Sequence, residues 1–239
     1  MPRSLGAIAV ACLCVATVAP ATYATSRDFL DETLVSHSFK AHEVGLEMGL
    51  ESRLDADYRL QGWYATEVEI GVTSRALIEM VGLYATRGQG LELGGWRTGA
   101  RYRLLSAPRF PVDVTAAVEY EVETAVAKHP GTERILVPRV ALSRTWREFT
   151  GTVNLGAQSR LSPSPRSRFL YGAGLRYPEN SDLKAGVEFS HEPIEGSTRI
   201  TPQIWIDFPG ETRLRLGGVF GVDPRPYWLV ARAIVETEF

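Results

Sequence analysis

"GWRTGARYRL", residues 95–104, puts Trp96, Thr98, Ala100, Tyr102 and Leu104 on one side of an extended chain and Arg97, Gly99, Arg101 and Arg103 on the other. Successive side chains of a strand point to opposite faces, so this is strand periodicity with one apolar and one cationic face. "VDVTAAVEYEVE", residues 112–123, repeats the pattern with the opposite charge. Val112, Val114, Ala116, Val118, Tyr120 and Val122 alternate with Asp113, Thr115, Glu119, Glu121 and Glu123. A turn near Ala107–Arg109 would set Arg103 opposite Asp113 or Thr115, and Arg97 opposite Glu119 or Glu121. Opposite charges facing across a strand pair contribute roughly 0.2–1 kcal/mol each. Turned towards lipid, the same arginines would cost about 2–4 kcal/mol apiece near the bilayer midplane. The charged rows are therefore expected to face inward.

The same alternation runs along nearly the whole chain. Twelve segments show it, at about 42–51, 62–72, 76–86, 95–105, 112–124, 134–146, 149–159, 168–178, 183–192, 198–208, 212–222 and 227–239. "VTSR", "SAPRFP", "PENSD", "PGE" and "DPRP" supply turn residues between them. Arg147-Glu148 leaves room only for a hairpin. The expected fold is all-β, a single antiparallel up-and-down transmembrane β-barrel of about 12 strands. Segment length, an even count, and connections that alternate shorter and longer point the same way. So do aromatics near segment ends on the apolar face: Tyr64, Tyr84, Trp96, Trp146, Phe149, Phe169, Tyr177, Phe208, Tyr227 and Phe239. "ALIEMVGLYA" is apolar on both faces, and "ILVPRVALSRTW" contains Pro138 and an Arg144 whose phase is lipid-facing. Pro138 and Pro202 each remove one ladder bond. "GQGLELGG", residues 88–95, reads as a loop.

Of the 239 residues, 1–24 fit a secretory signal peptide with Arg3, an apolar run, and cleavage after Ala21 or Ala24. A lipoprotein reading through Cys12 fits poorly, because Ala9 stands where a larger aliphatic residue is usual. Residues 25–41 are expected to be a periplasmic segment and 42–239 the barrel. Both cysteines, Cys12 and Cys14, fall in the signal, so no disulfide braces the exported chain. A formal net charge of −2 gives a nucleic-acid partner no electrostatic support.

The chain closes on "AIVETEF", an alternating strand whose last residue, Phe239, lies on the apolar face. Such a strand resembles the assembly signal read by the outer-membrane barrel insertion machinery. The alternative is that Phe239 only completes an edge strand. "TEVEIGVTSRALIEMVGLY" and "GWRTGARYRLL" together carry Glu67, Glu69, Gly71, Thr73, Arg75 and Glu79, then Gly99, Arg101, Tyr102 and Arg103. In these residues, over about 60–105, the chain resembles a family of outer-membrane proteins named for the meta-cleavage pathway of phenol degradation. The Gly-Asp step often found before that family's second strand is replaced here by Gly94-Gly95-Trp96. The resemblance implies a barrel with a transport role and names no substrate.

The candidate lumen residues are Glu67, Glu69, Glu79, Arg97, Arg101, Arg103, Glu119, Glu121, Glu123, Arg139, Arg176, Glu188, Arg213, Arg215, Arg232 and Glu236. They read either as a network that satisfies the wall or as a selectivity lining. Trp205 and Trp228 are the candidate lumen aromatics, placed to bind an apolar solute or to fill the pore. His37, His42, His129 and His191 lack metal-ligand spacing, and Ser190-His191-Glu192 alternates faces and cannot converge as a triad. The expectation is a cofactor-free, non-enzymatic channel for small solutes in the outer membrane, with its lipids and the insertion machinery as partners. A non-conducting surface barrel and a soluble periplasmic hydrophobe-binding protein are the alternatives.

Overall fold

A computed structural model describes residues 33–35, 40–55, 60–87, 90–106, 109–124, 132–162, 164–192, 197–222 and 227–239. The expected signal peptide, most of the segment to residue 41, His37 and His129 lie outside these residues, as does the side chain of Trp228. Twelve strands follow in order: β1 (Val44–Asp55), β2 (Leu60–Thr73), β3 (Ala76–Arg87), β4 (Gly90–Leu105), β5 (Asp113–Glu123), β6 (Glu133–Trp146), β7 (Phe149–Ser162), β8 (Arg166–Tyr177), β9 (Leu183–Glu192), β10 (Ser197–Phe208), β11 (Thr212–Gly221) and β12 (Tyr227–Glu238). Each pairs antiparallel with its sequence neighbours, and β1 pairs with β12 to close the barrel. Closure leaves no edge strand exposed. The seam ends with reciprocal bonds, Phe239 N–H to Val44 O at 2.9 Å and Val44 N–H to Phe239 O at 3.2 Å.

Of the hairpin pairings left open by the sequence, Arg97 faces Glu121 and Arg103 faces Thr115. Outward positions are apolar and exposed, among them Val68, Ile70, Val118, Val140, Val153, Leu155 and Leu175. Trp146, Phe149, Tyr177 and Phe208 lie outward at the end of the barrel that carries the chain terminus, the terminal end. Tyr171 and Phe189 depart from a strict end placement by sitting outward in mid-strand, ring centroids 6.1 Å apart. Most inward positions are charged or polar and buried, with apolar ones among them such as Val81, Val137 and Leu170.

Several local expectations need correction. From Gly90 onward "GQGLELGG" is strand and not loop, since β4 begins there. Leu91 and Leu93 continue the outward apolar row. The register shifts between Leu83 and Tyr84, absorbing the extra residue at Gly94, as a bulge does. A Cβ on Gly95 would meet the Val122 carbonyl oxygen at 2.5 Å, so glycine there serves the close approach of β5. Connections do not alternate regularly in length: 106–112 at the terminal end is longer than 88–89 at the opposite, distal end.

The prolines gain an account. Pro138 keeps its place opposite Val118 in the β5–β6 ladder, and Pro202 opposite Val187 in β9–β10. Both lie where pairing with the following strand is interrupted, between Leu136 and Arg139 against β7 and between Ile200 and Gln203 against β11. Each missing N–H therefore falls at a gap in the ladder. Arg144 is outward but two residues from the end of β6, and its guanidinium donates to the Pro111 carbonyl.

Candidate functional site

The lumen has two unlike walls. On the first, from β11 through β12 and β1 to β6, the register sets like charges side by side. Glu47 lies directly opposite both Glu67 and Glu236, and Glu69 opposite Glu79. Carboxylates so placed repel one another. Arginines reaching across from neighbouring strands compensate. Arg101 Nη2 is 2.6 Å from Glu79 and 3.7 Å from Glu69. Arg97 reaches Glu67 at 3.7 Å and Glu119 at 4.0 Å, and Arg139 takes Glu119 at 2.9 Å. Arg215 pairs with Glu47 and lies 3.9 Å from Glu236. Nearer the distal end, Arg53 and Arg232 both pair with Glu51, and the Arg53 guanidinium lies 4.5 Å from the Trp63 ring centroid.

The second wall, β6 through β10, is mostly neutral. Ser143, Thr150, Thr152, Asn154, Gln158, Ser190, Thr201 and Gln203 are buried inward. Trp205 is fully buried, with Arg176 at 5.1 Å from its ring. Gly186 makes its room, since a Cβ there would lie 2.9 Å from the indole. Against this wall lie Thr33, Leu34 and Val35, all buried inside the barrel. Thr33 N–H donates to Glu188 Oε1 at 2.6 Å, and Leu34 N–H to Asn154 Oδ1 at 3.0 Å. Leu34 O accepts from Asn154 Nδ2 and Thr152 Oγ1, each at 2.9 Å. Leu34 packs on Ala117 and Ala141, and Val35 on Trp205. A Cβ on Gly172 would come within 2.9 Å of Thr33 Oγ1, so glycine leaves space for the segment.

Between this segment and the charged wall is a cavity of about 250 Å3, bounded by Thr33 and Leu34. Seven glutamates and seven arginines line it, so neither sign dominates. One cross-strand row within it is uncharged: Ile234, Gly49, Ala65 and Leu83 follow one another in register. This explains the doubly apolar "ALIEMVGLYA", whose Ile78 and Met80 face out while Leu77, Val81 and Ala85 are buried inward.

No family model matches the chain, and no curated protein does. Solved structures do. The COG4313 outer membrane channel from Pseudomonas putida F1 superposes with a TM-score of 0.55 at 10% identity, covering 88% of this chain and 100% of that one. The translocator domain of autotransporter NalP from Neisseria meningitidis gives 0.47 at 10% identity, over 86% and 91% of the two chains. The Acinetobacter baumannii outer membrane protein Omp33 gives 0.43 at 8%, over 83% and 98%. The fold is that of outer-membrane β-barrels.

In this outer-membrane-type barrel, ten of the candidate lumen residues border the cavity: Glu67, Glu69, Arg97, Arg101, Glu119, Glu121, Glu123, Arg139, Arg215 and Arg232. Glu79, Arg176, Glu188, Arg213 and Glu236 are buried elsewhere on the inner wall. Arg103 is set apart at the terminal rim, where Nη2 donates to Ser74 O at 3.1 Å. Arg176 turns to Glu179 of the β8–β9 connection at 2.9 Å. His191 stacks with outward Tyr171, ring centroids 4.9 Å apart, and its Nδ1 lies 3.1 Å from Thr198 Oγ1. Sequence reasoning did not place Asn154 and Thr152, or Thr33–Val35, among the lumen residues. An asparagine inside a strand, where its propensity is poor, was the one available signal.

A second cluster closes the seam. Lys40 Nζ lies 2.6 Å from Glu43, 3.5 Å from Glu211 and 3.9 Å from Glu238. Partial burial pulls the ammonium pKa down, but the Glu43 hydrogen bond and the three carboxylate charges outweigh it and hold the group above its ordinary value.

Proposed function

We propose that the protein is an outer-membrane channel through which small solutes pass passively, without cofactor or covalent step. The observation that carries this reading is the charge-lined cavity inside a closed cylinder whose outer face is apolar. At about 250 Å3 the cavity lies below the ~300–1,000 Å3 of drug-sized sites, which favours small molecules. Its equal numbers of arginines and glutamates favour weak ion selectivity and dipolar or zwitterionic solutes over either simple ion. Kinship with the family named for the phenol-degradation pathway is part of the proposal, supported by the residues of β2–β4 quoted above. Outer-membrane residence, lipid contact and delivery through the carboxyl-terminal strand and the insertion machinery follow from the same reading.

The test is conductance of the purified barrel in planar bilayers, with reversal potentials measured in a salt gradient. Stepwise current with weak selectivity supports a channel; silence at every voltage ends it. A second reading, a barrel that does not conduct, is favoured by one feature, the buried Thr33–Val35 segment in the lumen. A soluble hydrophobe-binding protein is disfavoured by the outward row of Val68, Ile70, Val118 and Leu155, which in water would form an extended apolar surface.

A further inference from the structure

We propose that Thr33–Val35 is a displaceable stopper, held in a seat that reads extended peptide main chain, and that short apolar peptides compete for this seat. The inference rests on the channel reading and deepens it. Asn154 carries the argument. Its side-chain amide accepts from Leu34 N–H and donates to Leu34 C=O, at 3.0 and 2.9 Å. The N–H and C=O of one residue are met together in this way by a partner residue across an antiparallel ladder. Asn154 thus stands in for a neighbouring strand, and it does so only for an extended chain.

The remaining contacts add direction and side-chain preference. Thr152 donates a second bond to the Leu34 carbonyl. The Glu188 carboxylate accepts from the preceding N–H at 2.6 Å, a charge-assisted bond that fixes which way the peptide runs. Ala117 and Ala141 form a small apolar seat for the Leu34 side chain, and the Trp205 indole one for Val35. The seat therefore selects three extended residues, the second and third apolar. None of the barrel ladders uses residues 33–35, because β1 closes on β12 without them. Withdrawal of the segment breaks side-chain contacts and leaves the cylinder whole.

The experiment compares the parent protein, Leu34→Pro and Asn154→Leu in planar bilayers, with acetyl-Thr-Leu-Val-amide as the added probe. Proline removes the Leu34 N–H without touching the barrel. Asn154→Leu removes that bond from the wall side together with the one to the Leu34 carbonyl. Heat-modifiable gel mobility verifies that each variant still forms a barrel. Leu34→Pro should raise the conducting fraction roughly tenfold, the shift expected for one lost buried hydrogen bond, and Asn154→Leu at least as much. Micromolar to millimolar peptide should close Leu34→Pro again and have no effect on Asn154→Leu. An N-methylated leucine in the peptide should abolish the block. Parent and variants with identical current would overturn the stopper and leave the channel standing. Opening without peptide block would overturn the main-chain-reading seat. Silence in all three would remove the channel reading and the stopper together.

Discussion

Arg101 Nη2 and Glu79 Oε2 meet at 2.6 Å inside the lumen wall, with Gly99 directly opposite Glu79 in register. A Cβ on Gly99 would lie 2.5 Å from Glu79 Oε1, so the pair needs glycine at that position. Gly99→Ala should force the carboxylate aside and lower stability by about 1–3 kcal/mol, the range for overpacking. Arg101→Gln leaves Glu79 and Glu69 facing each other without their shared cation and should destabilise more than Gly99→Ala. Glu79→Gln added to Arg101→Gln should recover part of the loss. The readout is the temperature at which the folded gel band is lost, and additive single effects would show that the pair does not act as a unit.

The inside-out arrangement predicts an asymmetry between faces. Leu155 is outward in mid-β7, between Val140 and Tyr171. Leu155→Arg should cost about 2–4 kcal/mol and sharply reduce the yield of membrane-inserted barrel. Glu121→Arg introduces the same side chain towards the cavity, where water and other charges receive it, and should insert nearly as well as the parent. Equal yields for the two variants would contradict the assignment of faces.

Near the distal end, Arg53 and Arg232 both pair with Glu51 beside the cavity. The arginines and glutamates of that lining are equal in number, so removing cations unbalances it. The double variant Arg53→Gln, Arg232→Gln should move the reversal potential towards cation selectivity, while Glu121→Gln moves it towards anions. An unmoved potential in both would make this lining a structural network.

The contrast between walls also explains what the sequence could reveal. Strand identity and facing are local properties with a period of two, so Arg97, Arg101, Glu119 and Glu121 could be assigned to the interior from their neighbours alone. The length of one connection put Arg97 opposite Glu119 or Glu121, and the pairing is with Glu121. Nothing local marks Thr33–Val35, whose bonding partner Asn154 is 120 residues from Leu34. "GQGLELGG" misled because glycine content outweighed the Leu91 and Leu93 alternation, and a bulge hid the phase. The prolines became intelligible only with the ladder on either side of each strand in view.

The seam cluster gives a pH prediction. The Lys40 pKa is raised in the folded protein, so its stabilising contribution is complete below the ordinary value of 10.5 and is lost as pH rises through the folded one. Lys40→Met leaves Glu43, Glu211 and Glu238 close together without a cation. It should lower heat resistance at neutral pH, and the difference from the parent should persist to pH 10.5 and be lost only as pH rises past that through the raised folded value. Heat resistance measured across that interval checks it, and a difference that persists at high pH would assign the effect to lost packing.

Phe239 separates assembly from stability. Its main chain closes the seam through two bonds with Val44, and its ring is exposed on the outer face. Phe239→Ala keeps both main-chain bonds and removes only an outward side chain. Refolded in detergent, the variant should melt close to the parent. Expressed in cells, it should accumulate less in the outer membrane, because the aromatic end is what the insertion machinery is proposed to read. Measuring both quantities on the same variant distinguishes the roles. A fall in melting temperature that matches the fall in yield would reduce Phe239 to a closing residue of the last strand, whereas lost yield at unchanged melting temperature makes it a recognition element.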